Sequence, residues 1–216
     1  MIFDLLISPT VTGLQLLLQV CEEELANLDM RVNTKKSMCI RFGQRVGAKC
    51  TELLSINGGS LPWVNSCKYL GVYFIAGRTF KCSFDVRKSS FCRAFNAIYS
   101  KVGRNASADC VVALIRSKCL PILLYGAEAC PLLTRDINSL EFTVTRCLMK
   151  IFGTGSVAII ADCQRNFMFL PIKLILKIRT AKFLKCFTAS LNLLCLLFNS
   201  IATRQQLLSS LVLILL

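Results

Sequence analysis

Apolar residues fall into two rhythms along the chain, and the change between them comes near residue 80. In residues 12–28, Leu14, Leu17, Leu18, Cys21, Leu25 and Leu28 recur at helical spacing. This predicts an amphipathic helix with Glu22, Glu23 and Glu24 turned partly outward. Ser8, Pro9, Thr10 and Thr12 just before it are residues that start helices. Shorter extended pieces follow. Residues 31–33 lead into a polar turn at Thr34, Lys35 and Lys36, and residues 38–42 read as a strand ended by Gly43. Residues 52–56 and 61–64 flank Asn57-Gly58-Gly59-Ser60, a hairpin signal. Residues 68–75 read as a further strand, ended by Gly77.

From about residue 84 the period is helical. Phe84, Phe91, Phe95, Ile98 and Val102 line one stripe, with Arg93, Lys101 and Arg104 roughly opposite. A helix near 107–132 is expected to bend or break at Pro121, where a backbone donor is missing. Another over 136–152 carries Ile137, Leu140, Val144, Leu148 and Ile151 on one face, and 157–210 also reads as helical. The fold class implied is α+β: a small antiparallel sheet region over 1–79, a helical region over 80–155 and a basic, apolar helical tail over 156–216.

Composition sharpens this picture. The apolar fraction of 54% asks for a membrane explanation or for apolar faces that expect a partner. Asn199, Arg204, Gln205 and Gln206 interrupt the apolar stretch 191–216. Neither side of that break reaches the roughly 18–20 residues of a spanning helix. The tail is therefore read as a buried or partner-seeking helix, with self-association open and a membrane the lesser expectation. The net charge is +14, and beyond Glu141 the only acid is Asp162. Such a field favours phosphate-rich or anionic partners, nucleic acid first and an anionic membrane surface second.

The chain has 13 Cys and no His. No Cys pair has C-x-x-C spacing, so the common zinc signatures are absent. Single Cys residues set in apolar runs (Cys110, Cys119, Cys130, Cys147, Cys195) are expected to be small buried residues of a reducing, intracellular compartment, cytoplasmic or nuclear. Without His, the Ser–His and Cys–His nucleophile arrangements are excluded. Gly58-Gly59 belongs to a turn, and no Gly-rich phosphate loop is present.

Four segments in order resemble the reverse transcriptases of non-LTR (LINE-type) retrotransposons. The run Leu5-Leu6-Ile7-Ser8-Pro9-Thr10 before a helix is similar to the family segment after its Tyr-x-Asp-Asp turn. The stretch from Leu28 to Ser37, with Asn33-Thr34-Lys35-Lys36-Ser37, resembles its helix-to-strand element. Lys68-Tyr69-Leu70-Gly71-Val72 is similar to the primer-grip strand, and Pro121 to Glu128, with Leu124-Tyr125-Gly126, resembles the thumb helix. The likeness covers about residues 5–155, with the tail less clearly matched.

The resemblance implies a partial palm followed by a thumb. The family clamps Mg²⁺ with carboxylates from an upstream strand and from the Asp-Asp turn. Here the turn would fall at residues 2–4, where only Asp4 is a carboxylate. The resemblance thus implies no cofactor for this chain and an inactive remnant of an RNA-directed DNA polymerase. A translated, truncated genomic copy is the expected origin, with residues 211–216 reading as unselected sequence. Lys36 would correspond to a lysine beside the leaving pyrophosphate; its plain reading is a solvated turn lysine. Lys68, Tyr69, Leu70 and Gly71 would shape the strand pair that grips the primer end, or serve as plain sheet structure. Arg93, Lys101, Arg104, Arg116 and Lys118 would touch the template–primer backbone without reading sequence, or be solvated faces. The implied partner is a nucleic-acid duplex or hybrid, bound weakly and non-specifically.

Overall fold

A computed structural model of the chain describes residues 5–102 and 105–203. The fold is α+β and divides into two compact units, with the junction between Ser83 and Phe84.

The first unit begins with α1 (Val11–Ala26). Thr10, in an extended conformation, caps it by accepting from Gly13 N–H at 3.0 Å. The helix ends before Asp29, whose φ of 54° turns the chain away. The inward face also differs from expectation. Leu18 is buried, but so is Glu22, at 6% exposure, while Leu17 and Leu28 face solvent.

The reason is the hairpin packed on α1. Strands β1 (Leu53–Leu54) and β2 (Ser60–Leu61) pair antiparallel, Leu53 opposite Leu61. Ser55 Oγ donates to Glu22 Oε1, and Ile56 N–H donates to Glu22 Oε2 at 3.0 Å. Two turns earlier on the helix, the Gln15 amide pairs with both backbone groups of Leu54, at 2.7 and 2.9 Å. A side chain thus serves as a neighbouring strand for the hairpin edge. Leu18, Cys39, Leu53 and Leu61 form the small core, with Leu6, Val11, Leu14, Val32 and Trp63 against it.

Residues 38–42 do not form the expected strand. Cys39 bridges to Trp63 and Phe42 to Gly77, each in isolation. The segment touches two separate neighbours one residue at a time and never runs alongside either.

The expected single strand over 68–75 is a hairpin, formed by β3 (Ser66–Tyr69) and β4 (Val72–Ile75). Leu70 (φ 45°) and Gly71 (φ 81°) make the two-residue turn. Positive φ at both positions matches the strand twist and favours Gly. A third strand, β5 (Lys81–Ser83), pairs with β4 and was not anticipated. Phe42, Phe74 and Phe80 cluster with ring centroids 5.1–5.2 Å apart.

The second unit is helical. Helix α2 (Asp85–Val102) buries Phe91 and Phe95. It packs against α3 (Ala108–Leu114), a π turn (Ile115–Cys119) and α4 (Leu120–Leu123). Pro121 does not break this rod, which runs through it and stops near Leu124 rather than 132. The accommodation lies one turn earlier, where Leu120 N–H donates to Ile115 O, five residues back. Proline in a regular α-helix removes one bond and presses its ring on the carbonyl four residues before, here Ser117. Widening that turn relieves the clash.

After a short 3₁₀ turn at Ala127–Ala129, α5 (Thr134–Phe152) buries Leu140, Val144, Cys147 and Leu148 and ends at Gly153 with φ 63°. Among its described residues the tail is helical, as expected, and includes α6 (Val157–Asn166), α7 (Ile172–Thr188) and α8 (Leu193–Leu197). The Glu141 carboxylate of α5 accepts from Ile172 N–H at 2.7 Å and caps α7. The part of the expected helical stretch 157–210 beyond 203, with Arg204, lies outside the described residues, as do residues 211–216. No single helix among the described residues is long and apolar enough to cross a membrane.

Two substitutions test these supports by denaturant unfolding. Phe91→Ala removes a fully buried ring and is expected to cost about 3–5 kcal/mol. Glu22→Ala leaves the Ser55 hydroxyl and the Ile56 N–H without their acceptor and is expected to cost ~1–3 kcal/mol. Wild-type stability in Glu22→Ala would show that water replaces the carboxylate at no loss.

Candidate nucleic-acid interface

One uncompensated basic surface lies on α2. Between Asp85 and Asp109 the sequence has no acid, and Asp85 is paired with Lys88 at 2.7 Å. That leaves Arg93 and Lys101 on the exposed side, two turns apart, while Phe91 and Phe95 anchor the other side. Arg93 also donates to Ser90 Oγ at 3.1 Å, which steadies its guanidinium without neutralising it. Arg104, expected on the same face, lies outside the described residues, as does Asp4.

Helix α5 brings a third cation to α2 that the one-dimensional pattern did not single out. Lys150 Nζ donates to Asn96 Oδ1 at 3.2 Å and lies 5.1 Å from the Tyr99 ring centroid and 5.7 Å from that of Phe95. Tyr99 OH donates back to Lys150 O at 3.2 Å. The polar face of the 136–152 pattern places Lys150 outward; only packing shows that outward here means onto α2. The flanking rings favour the ammonium and leave its charge in place.

The other cations divide by what already holds them. Arg116 donates to the carbonyls of Phe167 (2.8 Å) and Met168 (3.1 Å) and stands over the Phe169 ring, so it braces the end of α6. Lys118 on the π turn is exposed. Arg179 is committed to Glu128 by bonds of 3.0–3.3 Å. Arg87 was missed by pattern reading because it sits in a polar position of α2, yet it is 5% exposed. None of its guanidinium nitrogens has a hydrogen-bond partner among the described residues; the Phe84 and Tyr125 rings lie 5.1 and 5.8 Å away.

In the first unit, Lys68, Tyr69, Leu70 and Gly71 come together at one end of the β3–β4 hairpin. Lys68 is exposed, with Nζ 5.7 Å from the Tyr73 ring centroid. Tyr69 is half-buried and its ring is 6.4 Å from Phe74, while Leu70 projects into solvent. Lys36 is exposed in a turn closed by Lys36 N–H to Asn33 O at 3.0 Å.

Among the described residues, no three His, Cys, Asp or Glu side chains gather where they could hold a metal ion. The thiols also differ from expectation. Cys119 and Cys147 are buried as anticipated, but Cys110 is exposed and Cys130 and Cys195 are half-buried. Burial pushes the Cys39 thiol up to about 11 and, with the Cys92 and Cys119 thiols adding to it, that of Cys147 up to about 12. Both remain protonated at neutral pH, which makes them poor nucleophiles and ligands.

What the arrangement offers is cationic contact to phosphate oxygens. Compared with protein-family models, curated proteins and solved structures, the chain matches none.

Native-state alkylation at pH 8 checks the thiol assignments. The exposed Cys110 and Cys186 are expected to react first. Cys39 and Cys147 have raised pKa values, so their thiolate fraction grows only as the pH climbs toward 11–12. They are expected to be labelled only on unfolding; early labelling of Cys147 would contradict the packing of α5.

Proposed function

We propose that this chain is the C-terminal part of a non-LTR retrotransposon reverse transcriptase, comprising the end of the palm and a thumb-like helical region. By itself it binds nucleic-acid duplexes weakly through their backbone and does not polymerise. The observation that carries the binding reading is the α2 surface, where Arg93, Lys101 and Lys150 stand with no acid between Asp85 and Asp109. The β3–β4 hairpin adds support, because Lys68-Tyr69-Leu70-Gly71 occupies a tight turn, the shape of an element pressed against a backbone. Phosphate contacts of this kind set affinity and register without selecting bases.

A second reading rests on a different surface. Leu191, Leu193, Leu194, Leu196, Leu197, Phe198 and Ile201 are all exposed within eleven residues of chain. Such a strip suits self-association or a membrane surface. Material released by salt together with nucleic acid favours the first reading; material recovered only with detergent favours the second.

Two measurements test the proposal. The 216-residue chain is expected to give no template-dependent primer extension with Mg²⁺ or Mn²⁺; extension that survives repurification would end the inactive reading. Duplex affinity is expected to fall steeply with salt. Arg93→Glu, Lys101→Glu and Lys150→Glu combined should flatten the log–log slope by up to about 3 units, at roughly 0.9 per lost phosphate contact. An unchanged slope would remove α2 from the interface.

A further inference from the structure

The loop that follows Arg41 encloses a cleft of about 320 Å³ in the first unit. Its lining includes Arg41, Lys49, Trp63 and Asn65 and no acid. The sequence around it is one-sided as well. Lys36, Arg41, Arg45 and Lys49 fall within fourteen residues that contain neither Asp nor Glu.

The parts of this cleft are held in place. Arg41 donates to the carbonyls of Arg45 at 2.9 Å and Ala48 at 2.5 Å, so its guanidinium organises the loop. The same group stands 5.4 Å from the Trp63 ring centroid. The indole is fixed by Nε1–H to Thr51 O at 3.0 Å and remains half-exposed. Asn65 is anchored through its carbonyl, which accepts from Ala76 N–H at 2.8 Å, and its side chain is exposed. Arg41 Nε–H is buried and has no hydrogen-bond partner among the described residues. That atom has no water-accessible surface and does not face the cleft; the carbonyl bonds leave the guanidinium charge in place, and no acid lines the cleft to offset it.

We infer that this cleft binds a phosphate monoester carried on a flat ring, a ligand of mononucleotide size. Arg41 and Lys49 supply the cations for the phosphate, the indole of Trp63 with Val46 and Val64 supplies the apolar wall for the ring, and the Asn65 amide supplies donor and acceptor for its edge. The volume sits at the lower end of small-molecule pockets, about 300–1,000 Å³, and exceeds what a bare phosphate fills. The cleft lies in the first unit, and the inference does not depend on the reverse-transcriptase reading.

Trp63 is the single tryptophan of the chain, so its fluorescence reports on this cleft. The experiment titrates the full chain at low salt with AMP, with inorganic phosphate and with adenosine. AMP is expected to change the emission saturably below about 1 mM, with phosphate and adenosine each at least tenfold weaker. Lys49→Glu is expected to weaken AMP binding at least tenfold, with the thermal midpoint unchanged because Lys49 is exposed. Arg41→Lys should weaken binding too; a loop collapse in that variant would appear as a shift of Trp63 emission without ligand, and the Lys49 variant still decides. Several outcomes overturn the inference: no saturable change by about 10 mM AMP, adenosine binding as well as AMP, phosphate binding as well as AMP, or an unaltered affinity in Lys49→Glu. The triple α2 variant is expected to bind AMP normally, which separates this site from duplex binding.

Discussion

The second unit depends on a single line of side chains. Val111, Ile115, Cys119 and Leu123 follow one another at four-residue steps, and all are buried. In a regular α-helix such a row rotates by about 40° per step, so its ends would face different neighbours. The π turn at Ile115–Cys119 is wider and rotates the row back. The line packs on α2, whose Phe91 and Phe95 are buried, and Leu140 and Val144 of α5 are buried as well. Pro121 is the local cause of the widened turn.

The first unit solves a different problem. Its strands are two to four residues long, too short to bury a core by themselves. Polar side chains take over the work of extra strands. Gln15 supplies the hydrogen-bond pattern of a neighbouring strand to Leu54, and Glu22 supplies the acceptor for Ser55 and Ile56. Both lie on the inward side of α1 with Leu18. A buried carboxylate is tolerable here because both of its oxygens have donors.

Charge follows the same division between structure and surface. Arg41, Arg116 and Arg179 hold carbonyls or a carboxylate with the planar fork that guanidinium provides. Exposed cations such as Arg93, Lys101, Lys118 and Lys150 in the second unit and Lys36, Lys49 and Lys68 in the first belong to the part of the +14 charge that is open to anionic partners. A net charge therefore overstates the binding surface: several guanidinium groups serve the fold.

The sequence by itself determined the α+β class, the change from short strands to helices near residue 80, the Asn57–Gly59 turn and the buried stripe of α5. Each of these rests on local periodicity or turn chemistry, which neighbours along the chain decide. Tertiary structure alone decided that Glu22 points inward, that residues 38–42 bridge two neighbours rather than form a strand, and that residues 68–75 fold back at Leu70-Gly71. It also decided that Lys150 joins the α2 surface and that Arg41, Lys49 and Trp63 share a cleft. These outcomes turn on which groups meet across tens of residues: a carboxylate turns inward only where Ser55 and Ile56 wait for it, and a lysine joins an interface only where another helix carries it.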